Sequence, residues 1–180
     1  AASDVYKRQR QVHSHFTILG FMSSQNRVTD TDGSITAVPV ASYPVRGHEI
    51  FLFRVFDVRG EQGGEGTARP AAFSVLADRL WPRGIRKEDL QPNLWDKQLC
   101  PSQELRKEFH DGLSFDEFSQ RYTSELDQRA ADGELADAVT ALSKAAGQGN
   151  IALLFAGKDT EHTHARVLAQ WLVDSIEDGS

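Results

Sequence analysis

Three short apolar runs do most to limit what this chain can become. Ile151–Ala156 is apolar at every position, the pattern of a strand buried on both faces, and so of a parallel sheet covered by other elements. Ile50–Phe56 is aromatic, β-branched and nearly continuous in apolarity, and Phe73–Ala77 is a shorter run of the same kind. Each predicts a strand. Between the second and third runs the spacing turns helical. Ser102 can cap a short helix carrying Leu105 and Phe109. Ser114-Phe-Asp-Glu117 forms a capping box ahead of the stripe Phe115, Phe118, Tyr122 and Leu126. A further helix is expected over Glu134–Ala146, with Leu135, Ala138, Val139 and Leu142 on one face. The last, from about Thr160 to Glu177 with Asp159 as its cap, turns Ala165, Leu168, Trp171, Leu172 and Ile176 inward. This order predicts an α/β fold, a small mostly parallel sheet flanked by helices in a single domain.

That domain is expected over Glu49–Asp178. Ahead of it, the first nine residues, Ala1 to Gln9, fit in frame the end of a transposon-type sequencing adapter and are set aside as an artefact. Residues 10–48 are expected to be a poorly ordered lead-in, polar from Ser23 onward. Met22, the one methionine of the chain, is a candidate true start. Phe16–Phe21 is too short for a signal-peptide core and has no small-residue cleavage site after it.

Charge and cysteine content narrow the partners. The chain carries a net charge of −6, and from Glu49 onward 15 basic residues face 23 acidic ones, a balance of −8. Such a domain has no general attraction for phosphate backbones, so nucleic acid is an unlikely partner. No apolar run approaches the roughly 20 residues that span a bilayer, so no membrane association is expected. The single cysteine, Cys100, fits a packing role and a reducing, cytoplasmic setting.

The chemistry-bearing residues fall where the strands end. The glycine-rich stretch Gly60 to Gly66 lacks the lysine and hydroxyl residue of a phosphate-binding loop and reads as a surface connection. The first strand runs into Asp57, the second into Asp78-Arg79, the third into Lys158-Asp159. In parallel α/β sheets these groups meet beyond the strand C-termini, where ligands sit. Arg79, Arg83 and Lys158 are therefore candidate anion-binding groups, and Trp81 offers a planar face. A lysine directly at the end of a buried strand is costly unless paired or bound, which favours Lys158. Asp78 and His162 are the candidate proton-handling, catalytic groups, with His162 placed in the first turn of the last helix. The bland reading stands beside this one: Asp78 and Arg79 as a bracing ion pair, Trp81 as a buried plug. His162 and His164, two apart on a helix, point in different directions and lack a third ligand nearby, so neither a metal site nor a cofactor is expected.

Asp78-Arg-Leu-Trp-Pro-Arg-Gly84 is a distinctive string. With Arg54-Val-Phe-Asp57, Leu94-Trp-Asp-Lys97, Ser102-Gln-Glu-Leu-Arg106, Arg121-Tyr122 and Leu153-Leu-Phe-Ala-Gly-Lys-Asp159, it makes the chain resemble the YeaO-like family of small bacterial proteins of unknown function. The resemblance covers nearly all of Glu49–Asp178. It implies departures here: a longer loop from Val58 to Pro70, Thr163 where the family carries asparagine, and Cys100 in place of another small residue. Members are sometimes labelled MarR-like regulators, yet no winged helix-turn-helix pattern is present. Two functions follow as expectations: a small anionic-ligand site, phosphate- or nucleotide-like and possibly enzymatic, or a nucleic-acid-associated regulatory protein without catalysis.

Overall fold

The protein is described from a computed structural model, which describes residues 27–29, 35–58 and 72–178. The adapter-like start, Met22 and the Gly60–Gly66 loop lie outside them. Strands β1 (Arg27–Thr29) and β2 (Ile35–Ala37) pair antiparallel on their own. The main sheet has four strands in the order β3 (Ala41–Val45), β4 (His48–Arg54), β6 (Ile151–Phe155), β5 (Phe73–Leu76). β4, β6 and β5 are parallel, as the apolar runs predict, and β3 is antiparallel to β4. The sheet is thus mixed.

β3 lies within the expected lead-in, so ordered structure begins before Glu49. Its sequence, Ala-Ser-Tyr-Pro-Val, buries only Val45 and places Pro44, which cannot donate to a ladder, on an edge strand where that costs little. Arg46 and Gly47, both at positive φ (49° and 80°), close a two-residue hairpin into β4. The Arg46 guanidinium donates to the Ile176 carbonyl at 2.9 Å, near the C-terminal end of the last helix, where a cation is favoured.

Alternation splits the core across the sheet. Ile50, Leu52, Val75, Ile151, Leu153 and Phe155 face one side, and helices α1 (Gln103–His110), α2 (Phe115–Ala131), α3 (Ala136–Ala146) and α4 (His164–Asp178) all pack there. Phe53, Leu76, Ala152 and Leu154 face the other side, covered by Trp81, Ile85 and Leu90 of an irregular segment rather than by a helix. The helices flank one face only. Ser102 and Ser114 cap α1 and α2 as expected, accepting the amides of Leu105 (3.1 Å) and Glu117 (3.2 Å). Among the described residues no helix is long and apolar enough to cross a membrane.

β6 is hydrogen-bonded on both sides and buried at all five positions. Leu153→Ala removes a fully buried side chain from its centre. Urea denaturation should show a loss of about 2–5 kcal/mol with little change in m-value. A loss under about 1 kcal/mol would mean that the strand is not the core of the sheet.

Candidate functional site at the strand C-terminal edge

Because β4, β5 and β6 run the same way, Arg54, Leu76 and Phe155 finish on one edge. Asp78, just past β5, joins three segments there. Its Oδ2 accepts the Ala156 amide at 2.7 Å, and its Oδ1 lies 3.2 Å from His164 Nε2. Its own carbonyl accepts the Trp95 indole N–H at 2.9 Å. His164 Nε2 is also 3.1 Å from the Ala77 carbonyl. Two acceptors at one ring nitrogen call for a proton on Nε2. The two side chains are 17% (Asp78) and 20% (His164) exposed.

The start of α4 decides which histidine sits here. Sequence reading begins the helix at Thr160 and makes Asp159 its cap. Instead the Asp159 carboxylate closes a turn of its own, accepting the amides of Glu161 and His162, both at 2.9 Å. Those two amides and the His162 ring hold the Asp159 carboxyl below its usual range. Helix begins only at His164, behind Thr163, whose hydroxyl is 3.4 Å from the Ala165 amide. His162 is therefore outside the first helical turn. It is exposed, with Nδ1 3.1 Å from Asp159 and its ring edge-on to Phe115 at 5.2 Å. The histidine paired with Asp78 is His164.

The remaining candidates divide by exposure. Arg79 does not pair with Asp78; its guanidinium donates to the Lys97 carbonyl at 3.2 Å. Trp81 is largely a plug: its indole N–H donates to the Ile85 carbonyl at 2.7 Å, and its ring packs on the second core cluster. Its edge meets Trp95, ring centroids 5.4 Å apart. Arg83 is exposed, in a turn where Gly84 takes φ +77°, a conformation costly for any side chain. Lys158 is exposed as well, so the cost of burying a lysine does not bear on it. Three carboxylates on the same segments accept backbone amides. Asp96 accepts the Gln98 amide at 2.8 Å, and Asp78 and Asp159 hold the contacts above.

Sequence reasoning missed His164, Trp95 and Lys97. Trp95 stands on the edge with the Lys97 ammonium 5.6 Å from its ring centroid, a contact worth about 0.5–1 kcal/mol when exposed. The signal available for Trp95 and Lys97 was the Leu94-Trp-Asp-Lys97 string. It lies next to no strand end in sequence, but Leu94 bridges to Val75 and so brings the string beside β5.

Residues 97–102 are pinned from behind by α2. Arg129 donates to the Gln98 and Cys100 carbonyls at 2.7 and 2.8 Å, and the Tyr122 hydroxyl donates to Leu99 O. Glu125 accepts both the amide (2.8 Å) and the hydroxyl (2.6 Å) of Ser102. Cys100 is fully buried, its thiol donating to the Ala77 carbonyl at 3.2 Å. Burial, with Asp78 nearby, pushes that thiol up to about 12. It is a packing residue, not a nucleophile. Among the described residues no three His, Cys, Asp or Glu side chains gather as metal ligands.

The fold and edge define a small mixed-sheet α/β domain whose parallel strand ends carry a fixed carboxylate–imidazole pair. The chain belongs to the family described as the inactive DUF488-N3 subclade, whose model matches residues 65–180. It is similar to the uncharacterized protein YeaO of Escherichia coli K12, 38% identical over 120 residues, which is 66% of this chain and 92% of that one. It is also similar to the uncharacterized protein Rv3073c of Mycobacterium tuberculosis H37Rv, 41% identical over 99 residues, 54% of this chain and 78% of the relative. The uncharacterized protein Mb3100c of Mycobacterium bovis matches to the same extent. No solved structure matches the chain.

Two outcomes follow from this geometry. Asp78→Ala strips the Ala156 amide of its acceptor and should cost roughly 1–3 kcal/mol in urea denaturation, whereas Asp78→Asn, which keeps an acceptor oxygen, should cost less. Equal losses for both would show that the carboxylate's charge, not its acceptor geometry, braces the edge. For Cys100, the unfolded thiol ionises from about pH 8.5 upward while the folded one keeps its proton to about 12. The folded state then binds the extra proton, so this group's contribution to stability is intact below that range and falls as pH rises through it. Thiol labelling at pH 8 should be slow for the native protein and fast in urea; fast native labelling would contradict the burial.

Proposed function

We propose that this domain binds a small polyanionic ligand at the strand C-terminal edge and does so without turnover. The observation that carries the reading is the disposition of charge. Asp78, Asp96 and Asp159 spend their carboxylates on backbone amides, while Arg83, Lys97 and Lys158 reach solvent. On an acidic domain, exposed cations at the edge where α/β sheets take ligands suit a small anion better than a phosphate-backbone track. Arg79, half-buried beside Lys97, adds a guanidinium of fixed position. Trp81 shapes the loop that carries Arg83.

A binding role without catalysis fits the family's description as an inactive subclade. It also fits the candidate proton-handling groups, since Asp78 braces the backbone and His162 turns to Asp159. We place this binding in the cytoplasm, where a lone buried cysteine stays reduced.

A thermal-shift screen of phosphorylated metabolites and nucleotides tests the reading. A ligand that binds only the native state at a hundredfold over Kd adds about 2.7 kcal/mol, enough to raise Tm by roughly 5 °C or more. At least one polyanion should do so, and Arg83→Ala should abolish the shift. Arg83 is exposed, so its truncation should change stability by no more than about 0.5 kcal/mol. If Arg83→Ala instead costs several kcal/mol, as breaking a buried pair does, the cluster is structural and the site assignment is wrong.

A further inference from the structure

We propose that Trp95 is a stacking platform for a planar base, so that the anion taken at this edge is a nucleotide rather than a simple phosphate or carboxylate. The inference rests on the anion-binding reading above and specifies its ligand.

Four large apolar side chains are exposed among the described residues, and three of them, Phe56, Leu80 and Trp95, follow or adjoin a strand end at this edge. Trp95 differs from the other two in being held. Its indole N–H is fixed on the Asp78 carbonyl and the edge of Trp81 braces it, yet 36% of the residue stays open to solvent and it joins neither core cluster. A tryptophan kept for packing is covered. One that is oriented by a hydrogen bond and left uncovered is preorganised for a partner, and a flat π-face suits a nucleobase.

A cation stands beside the ring for the other end of such a ligand. The Lys97 ammonium lies 5.6 Å from the Trp95 ring centroid. Lys97 is anchored at its backbone, where Arg79 grips its carbonyl, while its side chain is exposed and, among the described residues, held only by the ring contact. The ammonium can leave the ring as a base arrives and move to the phosphate, with Arg79 beside it. A contact between an exposed lysine and an indole face is weak enough to be exchanged in this way.

Calorimetric titration of the full chain with ADP and with inorganic pyrophosphate tests the proposal, because the two share a diphosphate and differ in the nucleoside. ADP should bind about tenfold more tightly, the gain expected from one base stacked on an aromatic ring. Trp95→Ala should bring ADP to within about twofold of pyrophosphate, both measured on that variant. Trp95→Phe keeps a ring but loses the bond to the Asp78 carbonyl, and should retain most of the ADP advantage. It also keeps the test open if the alanine variant does not fold. Equal affinities for ADP and pyrophosphate in the unaltered protein would overturn the stacking platform and leave the anion site standing. So would an ADP advantage that survives in Trp95→Ala. Binding of neither compound would remove this inference, and a blank polyanion screen would remove the anion site with it.

Discussion

A strand hydrogen-bonded on both sides by parallel neighbours has no free edge, and its end must fall beside theirs. β6 is that strand here, and most of the molecule follows from it. Its five apolar residues need cover on both faces, which α4 and its neighbours supply on one side and the Trp81–Leu90 segment on the other. Parallel neighbours require crossovers, and the connection from β5 to β6 is where α1, α2 and α3 are built. The same constraint leaves the Ala77 carbonyl and the Ala156 amide just past their strands, where their partners are side chains.

Asp78 is the answer to that need. By accepting the Ala156 amide it ties the exit of β5 to the exit of β6, and through His164 it ties both to the start of α4. The carbonyl of the same residue holds Trp95, so a fourth segment is fixed on one amino acid. A carboxylate suits this place because it accepts at both oxygens. A hydroxyl or carboxamide could meet some of these demands but not all of them with one charge state. The arrangement has a chemical consequence: a carboxylate engaged by backbone and imidazole forms no ion pair with Arg79, whose guanidinium turns to the Lys97 carbonyl instead.

How far the sequence shows all this depends on range. The three parallel strands were legible because burial on both faces leaves an unbroken apolar run, and the caps of α1 and α2 were legible because capping is local. β3 was not. Ala41–Val45 buries one side chain and carries a proline, so nothing in it signals a strand; β4 recruits it through a hairpin. The start of α4 failed for a related reason. Asp159 is a good cap by type, but its carboxylate serves a turn at 159–162, and a single sequence does not tell one use from the other.

The site was legible as a place and only partly as a set of residues. Strand order alone brings Asp78, Arg79 and Lys158 to one edge, since each directly follows a parallel strand. His164, Trp95 and Lys97 arrive by tertiary routes: one through the shifted start of a helix, two through a bridge that lays Leu94 beside Val75. Local sequence therefore places the strand exits, while the rest of the candidate site is assembled from segments that reach the edge from elsewhere. The consequence for charge is direct. Sequence reading has to count Asp78, Asp96 and Asp159 against the cations, because all six or seven charges share the same stretches of chain. Folding sets the three carboxylates on backbone amides and leaves Arg83, Lys97 and Lys158 exposed, so the ion pairs that proximity in sequence would suggest are not the contacts made.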